Sequence, residues 1–213
     1  MAKLEAIIWD WGMVLGRFDH GQIWHGLAGY SELYSKAIQL ALEEPAKRHD
    51  AGLLSSKRFY FEACSKALLK GLDYEKFREI WNSCILGDNE DIAPLLRRVA
   101  PSVRMTVLSN TDPINWAAIQ KLPLMQEFFP NKDSWTLSYE VGARKPANEA
   151  YFAALKRSGL APNQSSKALF VDDVMNYTEQ FKRLGGQAFQ YNNSTQKIDV
   201  LEWYLLEAGV ISP

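Results

Sequence analysis

Six residues of this chain could do chemistry together: Asp10, Ser109, Asn110, Lys145, Asp172 and Asp173. Asp10 closes the apolar run Ile7-Ile8-Trp9, and Gly12 follows two positions later. Ser109-Asn110 closes the run from Val103 to Leu108, and Asp172-Asp173 closes Ala168 to Val171. Lys145 stands in Gly142-Ala143-Arg144-Lys145-Pro146. If the three runs are strands of one parallel sheet, all of these groups meet at its carboxyl edge, where open α/β sheets bind ligands. Carboxylates gathered there repel one another and raise the pKa of at least one. A hard divalent cation removes that penalty, and Mg²⁺ takes one or two carboxylates together with phosphate oxygens and water. A phosphate beside the metal needs further donors, which the Ser109 hydroxyl, nearby backbone N–H groups and the Lys145 ammonium could supply. The residue types describe phosphoryl transfer.

The rest of the chain has to position these groups. After Gly16 the apolar spacing turns helical and stays so to about Leu86-Gly87-Asp88, with no convincing strand. Ser31 is placed to cap a helix carrying Leu33, Ala37, Leu40 and Ala41, and Ser56 to cap one carrying Phe59, Ala63, Ala67 and Leu68. Phe77, Ile80, Trp81 and Cys84 recur as i, i+3, i+4, i+7 on a third. This region reads as a small helical bundle inserted between the first strand and the remaining sheet. From Ile92 helix and strand alternate, as in βαβ units. Asp112-Pro113 opens a helix with an acid at the cap and Pro at its first position. Trp135 to Ser138 reads as a third strand, Asn148 to Ser158 as a helix stopped by Gly159, Gln187 to Gln190 as an edge strand and Ile198 to Ala208 as a terminal helix. The fold class expected is α/β: a Rossmann-like parallel sheet formed by residues 1–15 and 88–213, interrupted by a helical unit at 16–87.

Composition sets outer limits. A chain of 213 residues can build one core domain carrying a smaller insert. With 47% hydrophobic and 23% charged residues it has ordinary globular values, which argues against disorder. A net charge of −1 provides no basic field for nucleic acid and no polybasic membrane anchor. Cys64 and Cys84 show neither a disulfide framework nor a metal-ligand spacing, and the apolar run after Met1-Ala2-Lys3-Leu4-Glu5 is too short to be expected to act as a signal peptide or membrane span. A cytoplasmic, soluble protein is expected; its oligomeric state is not legible.

The motifs together resemble those of the haloacid dehalogenase-like hydrolases, over the whole length of the chain. Asp10-Trp11-Gly12-Met13-Val14-Leu15 resembles the first motif of that family, Val107-Leu108-Ser109-Asn110-Thr111 the second, Arg144-Lys145-Pro146 the third, and Phe170-Val171-Asp172-Asp173 with Asn176 the fourth. The helical insert stands where the family places a small helical cap, and Asp50-Ala51-Gly52-Leu53-Leu54-Ser55 with Phe59 is similar to the bacterial α-glucose-1-phosphate phosphatases. The resemblance implies an Mg²⁺-dependent phosphatase of a small phosphorylated metabolite, a sugar phosphate among the candidates. Asp10 would be the nucleophile that forms an aspartyl-phosphate. Asp10, the Gly12 carbonyl and Asp173 would bind Mg²⁺, with Asp172 assisting through water or a hydrogen bond. Ser109 and Asn110 would hold phosphoryl oxygens, and Lys145 would neutralise charge between phosphate and nucleophile.

One position departs from the common pattern. Gly12 stands where many of these phosphatases carry a second Asp as general acid and base, a function worth about 10²–10⁴-fold in rate. The glucose-1-phosphatase subgroup also has Gly there, and a leaving group of low pKa, such as an anomeric hydroxyl, suffers less from the loss. Asp19 is read as a solvated loop or cap residue. Trp11, His20, Trp24 and His25 are candidates for the entrance, Arg48 and His49 read as a solvated face, and Trp81 and Trp135 as core. Two other readings compete. A metal-independent haloacid dehalogenase would need no general acid, but the paired Asp172-Asp173 argues against it. A binding or regulatory protein without turnover has only Gly12 in its favour.

Overall fold

The structure, a computed structural model, describes residues 3–212. Its centre is β1 (Ala6–Trp9), every residue of which is buried. Strands β4 (Arg104–Ser109), β5 (Trp135–Leu137), β6 (Ala168–Asp172) and β7 (Gln187–Gln190) join it in the order β5-β4-β1-β6-β7, each neighbouring pair parallel. Trp9 pairs with Val107 on one side and Val171 on the other, so the polar residues following all three strands emerge at one edge.

Both faces of this sheet are covered, which is why its central strands β1 and β6 read as continuous apolar runs without alternation. Ile7 and Trp9 pack with Leu95 and Leu96 of α5 (Ala93–Arg97), Trp116 of α6 (Pro113–Ile119), Met125 of α7 (Pro123–Phe128) and Leu201 of α11 (Ile198–Glu207). Ala6 and Ile8 face the other way, onto Tyr151 and Ala154 of α9 (Asn148–Arg157) and Phe181 of α10 (Met175–Arg183). One short helix, α8 (Ser138–Val141), follows β5 directly and leads into the Lys145 loop.

Between β1 and β4 lie α1 (Gly21–Ala28), α2 (Ser35–Asp50), α3 (Ser56–Lys66) and α4 (Tyr74–Asn82). They bury a separate apolar cluster of Leu27, Ile38, Leu42, Phe59, Phe77 and Trp81, which reaches Ile114 on α6. No described helix is long and apolar enough to cross a membrane.

The structure corrects the sequence reading of this region in several places, among them the helix ends: α3 stops at Lys66, short of Ala67 and Leu68, and α4 at Asn82, short of Cys84. Gly16–Phe18 (β2) and Ile85–Asp88 (β3) pair as an antiparallel ribbon at the two ends of the insert, where no strand was expected; at three and four residues they are too short for a periodicity to show. Ser31 does not cap a helix: α2 starts at Ser35, and the Ser31 hydroxyl donates to the Ala67 carbonyl, tying α3 to the loop. Ser55, not Ser56, accepts the Arg58 N–H at the start of α3. Leu40 is on the exposed side of α2, because Ile38, Leu42 and His49 form its buried face.

Candidate active site

The register delivers the predicted residues to one place. Lys145 Nζ lies 2.6 Å from Asp10 Oδ1 and 2.6 Å from Asp172 Oδ2, and donates to the Leu108 carbonyl at 3.1 Å. Asn110 frames the lysine's backbone: its Oδ1 accepts the Lys145 N–H at 2.8 Å and its Nδ2 donates to the Lys145 carbonyl at 3.1 Å. Asp172 spends its second oxygen on the Val174 N–H at 2.8 Å. Asp173, half-buried, receives an Asn192 amide at 3.4 Å. Asp10, Asp172 and Asp173 each offer a carboxylate oxygen within 4.8 Å of the others.

Electrostatics follow from this crowding. Burial pushes the Asp10 carboxyl up to about 7 against the pull of Lys145, and Asp172 and Asp173 add to the rise. Burial, then Asp172, pushes Asp173 up to about 6. Burial would depress the Lys145 ammonium, but Asp10 and Asp172 outweigh it and hold the group above its ordinary value. One lysine therefore serves two acids, and the third has no cation of its own among the described residues. The clustered donors of Asp10, Asp172 and Asp173 are all carboxylate oxygens, the kind a hard cation such as Mg²⁺ takes. Asp172 is engaged by Lys145 and Val174, which suits it to supporting the lysine.

A cavity of about 600 Å³ opens above these groups. Asp10, Gly12, Ser109, Asn110, Lys145 and Asp173 form its floor, while His20, Trp24, Lys36, Glu43, Asp50 and Trp81 of the helical unit face them. Trp11 also lines it. His25 bonds the Gly21 carbonyl on the exposed side of α1, and Asn176 is exposed on α10; neither lines the cavity. Asp19 accepts the Gly21 N–H at 2.8 Å and the Gln22 amide at 3.0 Å, so it fastens the start of α1. A second cavity, of about 570 Å³ beside Arg104 and Thr136, contains none of the predicted site residues.

Other residues have partners that the sequence did not show. His49, expected on a solvated face, is fully buried; it stacks on Phe59 and bonds Ser56 Oγ at 3.0 Å. Trp81 is core as expected, but its indole N–H donates to Asp112 Oδ2 at 2.8 Å. Asp112 Oδ1 caps α6 by accepting the Ile114 and Asn115 N–H groups, as its position before Pro113 predicted. Asp50 and Arg144 form an ion pair at 3.2 Å; burial pushes Asp50 up to about 7, Asp112 adding to the rise and Arg144 opposing it. Each lay inside a segment of noted pattern, but the partner was on a distant element.

No protein-family model matches the sequence, and no curated protein matches it significantly. Solved structures do match. The HAD family enzyme BT-2542 of Bacteroides thetaiotaomicron superposes with a TM-score of 0.77 at 19% identity, over 94% of this chain and 99% of that one. A predicted HAD-like family hydrolase from Porphyromonas gingivalis gives 0.76 at 20% identity, over 96% and 98%. The fold is that of the haloacid dehalogenase-like enzymes. An L-2-haloacid dehalogenase from Xanthobacter autotrophicus is more distant, with a TM-score of 0.60 at 17% identity over 99% of this chain and 85% of that one. BT-2542 has also been solved with magnesium and inorganic phosphate. Within the HAD-like fold of this chain, Asp10 ends the central strand and the helical unit stands over it.

Proposed function

We propose that this chain is an Mg²⁺-dependent phosphatase of a small phosphorylated metabolite, acting through an aspartyl-phosphate on Asp10. One observation carries the reading: a half-buried Asp173 beside the Asp10–Lys145–Asp172 ion-pair cluster, at the floor of a cavity of about 600 Å³. A metal-free displacement of halide has no use for that third acid, which repels its neighbours. A divalent cation held by Asp10, the Gly12 carbonyl and Asp173 would neutralise it and supply charge stabilisation to the phosphoryl group.

The chain's own residues then divide the work. An Asp10 oxygen attacks phosphorus and the ester oxygen leaves with its bonding pair; water next attacks phosphorus, releasing Asp10 and phosphate. Lys145 keeps its proton throughout, offsetting charge on Asp10 and the phosphoryl oxygens. Ser109 donates to the phosphoryl group, while Asn110, expected to hold phosphoryl oxygens too, has its amide engaged by the Lys145 backbone and instead positions the lysine. Helices α1–α4 serve as a cap that limits the substrate to a metabolite-sized group. Gly12 provides no acid for the departing oxygen, which favours esters whose alcohol is acidic, sugar 1-phosphates among them.

The test is phosphate release from a panel of phosphorylated metabolites, with Mg²⁺ and with chelator, for wild type and Asp10→Asn. Release that needs both metal and Asp10 supports the reading. Halide release from a 2-haloacid without metal would instead establish the dehalogenase, and inertness toward both panels would leave a binding protein.

A further inference from the structure

Besides the packing of α4 against α6, two links join the helical unit to the sheet core. One is covalent, the β2–β3 ribbon. The other is formed by side chains where α2 ends. There Asp50, the last residue of α2, places Oδ2 3.2 Å from Arg144 Nη2, with both side chains largely covered. Two residues on, Gly52 runs so close to α8 that a Cβ would sit 2.2 Å from the Tyr139 carbonyl oxygen; its φ of +70° also suits glycine. Beside this contact Trp81 and His49 converge on Asp112, the indole bonded at 2.8 Å and the imidazole Nδ1 3.8 Å away.

Arg144 is the residue before Lys145. Its carbonyl accepts the Ala147 N–H at 2.8 Å within the loop and Asn110 holds the next N–H, while its side chain reaches out of the loop to Asp50 on the helical unit. Exposed ion pairs usually hold nothing in place. This one differs in three respects: Asp50 and Arg144 both line the cavity, Arg144 Nε is buried without a partner, and the pair joins two separately cored units.

We infer that Asp50 is a positioning residue of the active site: by holding Arg144 it sets the loop that presents Lys145 to Asp10, and it pins α2 over the cavity in the same contact. The kinetic consequence rests on the phosphatase reading; the structural one does not. Position is what a charged catalytic group loses first, since displacement of about 1 Å can cost on the order of 10²-fold in rate.

Hydrogen–deuterium exchange on the full chain, comparing wild type with Asp50→Asn, Arg144→Gln and the double variant, tests the joint directly. The expected result is about tenfold faster exchange both in the last turn of α2 and in residues 142–147, with the double variant no worse than either single one. Exchange that changes only in α2, or effects that simply add, would overturn it. With a substrate in hand, Asp50→Asn is expected to lower kcat about tenfold with KM within about twofold, and Asp50→Glu to recover part of the loss; an unchanged kcat would equally overturn the inference. If wild type hydrolyses no phosphate ester, the phosphatase reading fails while the exchange comparison still decides the joint.

Discussion

The Lys145 ammonium sits 2.6 Å from Asp10 Oδ1, and the same nitrogen is 2.6 Å from Asp172 Oδ2. One buried cation thus compensates two buried acids that lie on adjacent parallel strands or just beyond them. Lys145→Met should lower phosphate release by about 10²-fold or more, because charge on the transferring group is no longer offset. It should also destabilise the protein by about 3–5 kcal/mol at pH 7.5, since two buried carboxylates lose their partner. The cost should shrink at pH 5, where Asp10, pushed up to about 7 by burial, is protonated. Denaturant unfolding at both pH values checks this; an equal loss at the two would refute the electrostatic account.

Gly12 leaves room for the missing acid. A Cβ built there meets only Asp10 Oδ2, at 3.6 Å, and the residue is not in the left-handed region. Gly12→Asp should therefore fold and raise kcat on esters of poor leaving groups by about 10-fold or more, with a smaller gain on sugar 1-phosphates. Turnover on a substrate series of graded leaving-group pKa measures it; a uniform change across the series would remove the proton-transfer explanation.

Magnesium should stabilise the chain through Asp173. At a concentration about 100 times its Kd, a ligand that binds only the folded state adds about 2.7 kcal/mol, or roughly 5–10 °C in Tm for a chain of this size. Asp173→Asn should abolish the shift, whereas Asn176→Ala, on the exposed side of α10, should keep it. A wild type whose Tm ignores Mg²⁺ would favour the dehalogenase.

Asp50 makes stability depend on pH with a defined sign. Its folded value of about 7 lies above the ordinary carboxyl value, so the folded state binds this proton more tightly than the unfolded chain. The associated stability is complete below about pH 4 and is lost as pH rises through 7. Wild type should therefore lose stability relative to Asp50→Asn between pH 5 and pH 8. Parallel unfolding midpoints for the two proteins across that range would contradict the assignment. An acid that costs stability in its charged form, yet faces Arg144 beside Lys145, is in keeping with a site that trades stability for activity.

Trp81→Phe keeps the ring among Phe59, Phe77 and Trp24 but removes the donor to Asp112. A loss of about 1–3 kcal/mol is expected, from a buried carboxylate oxygen left without its partner. Thermal or chemical unfolding would show it, and a loss below about 0.5 kcal/mol would mean that another group satisfies Asp112.

Much of this molecule could be read before its structure. Apolar runs ended by Asp10, Ser109 and Asp172 are local signals, because strands buried on both faces need continuous hydrophobicity and a sheet edge is where polarity resumes. Asp112 before Pro113 was legible as a cap for the same reason: capping is settled within four residues. Tertiary structure alone decided the remainder. Whether His49 faces water or Phe59, whether Asp50 meets Arg144, and which side of α2 covers the cavity all depend on elements far apart in the chain. Helical spacing states that a buried face exists, but packing partners choose it. The chemistry of the floor was therefore written in residue type and order, while the roof above it, and the joint that holds it there, came from the way two separate cores meet.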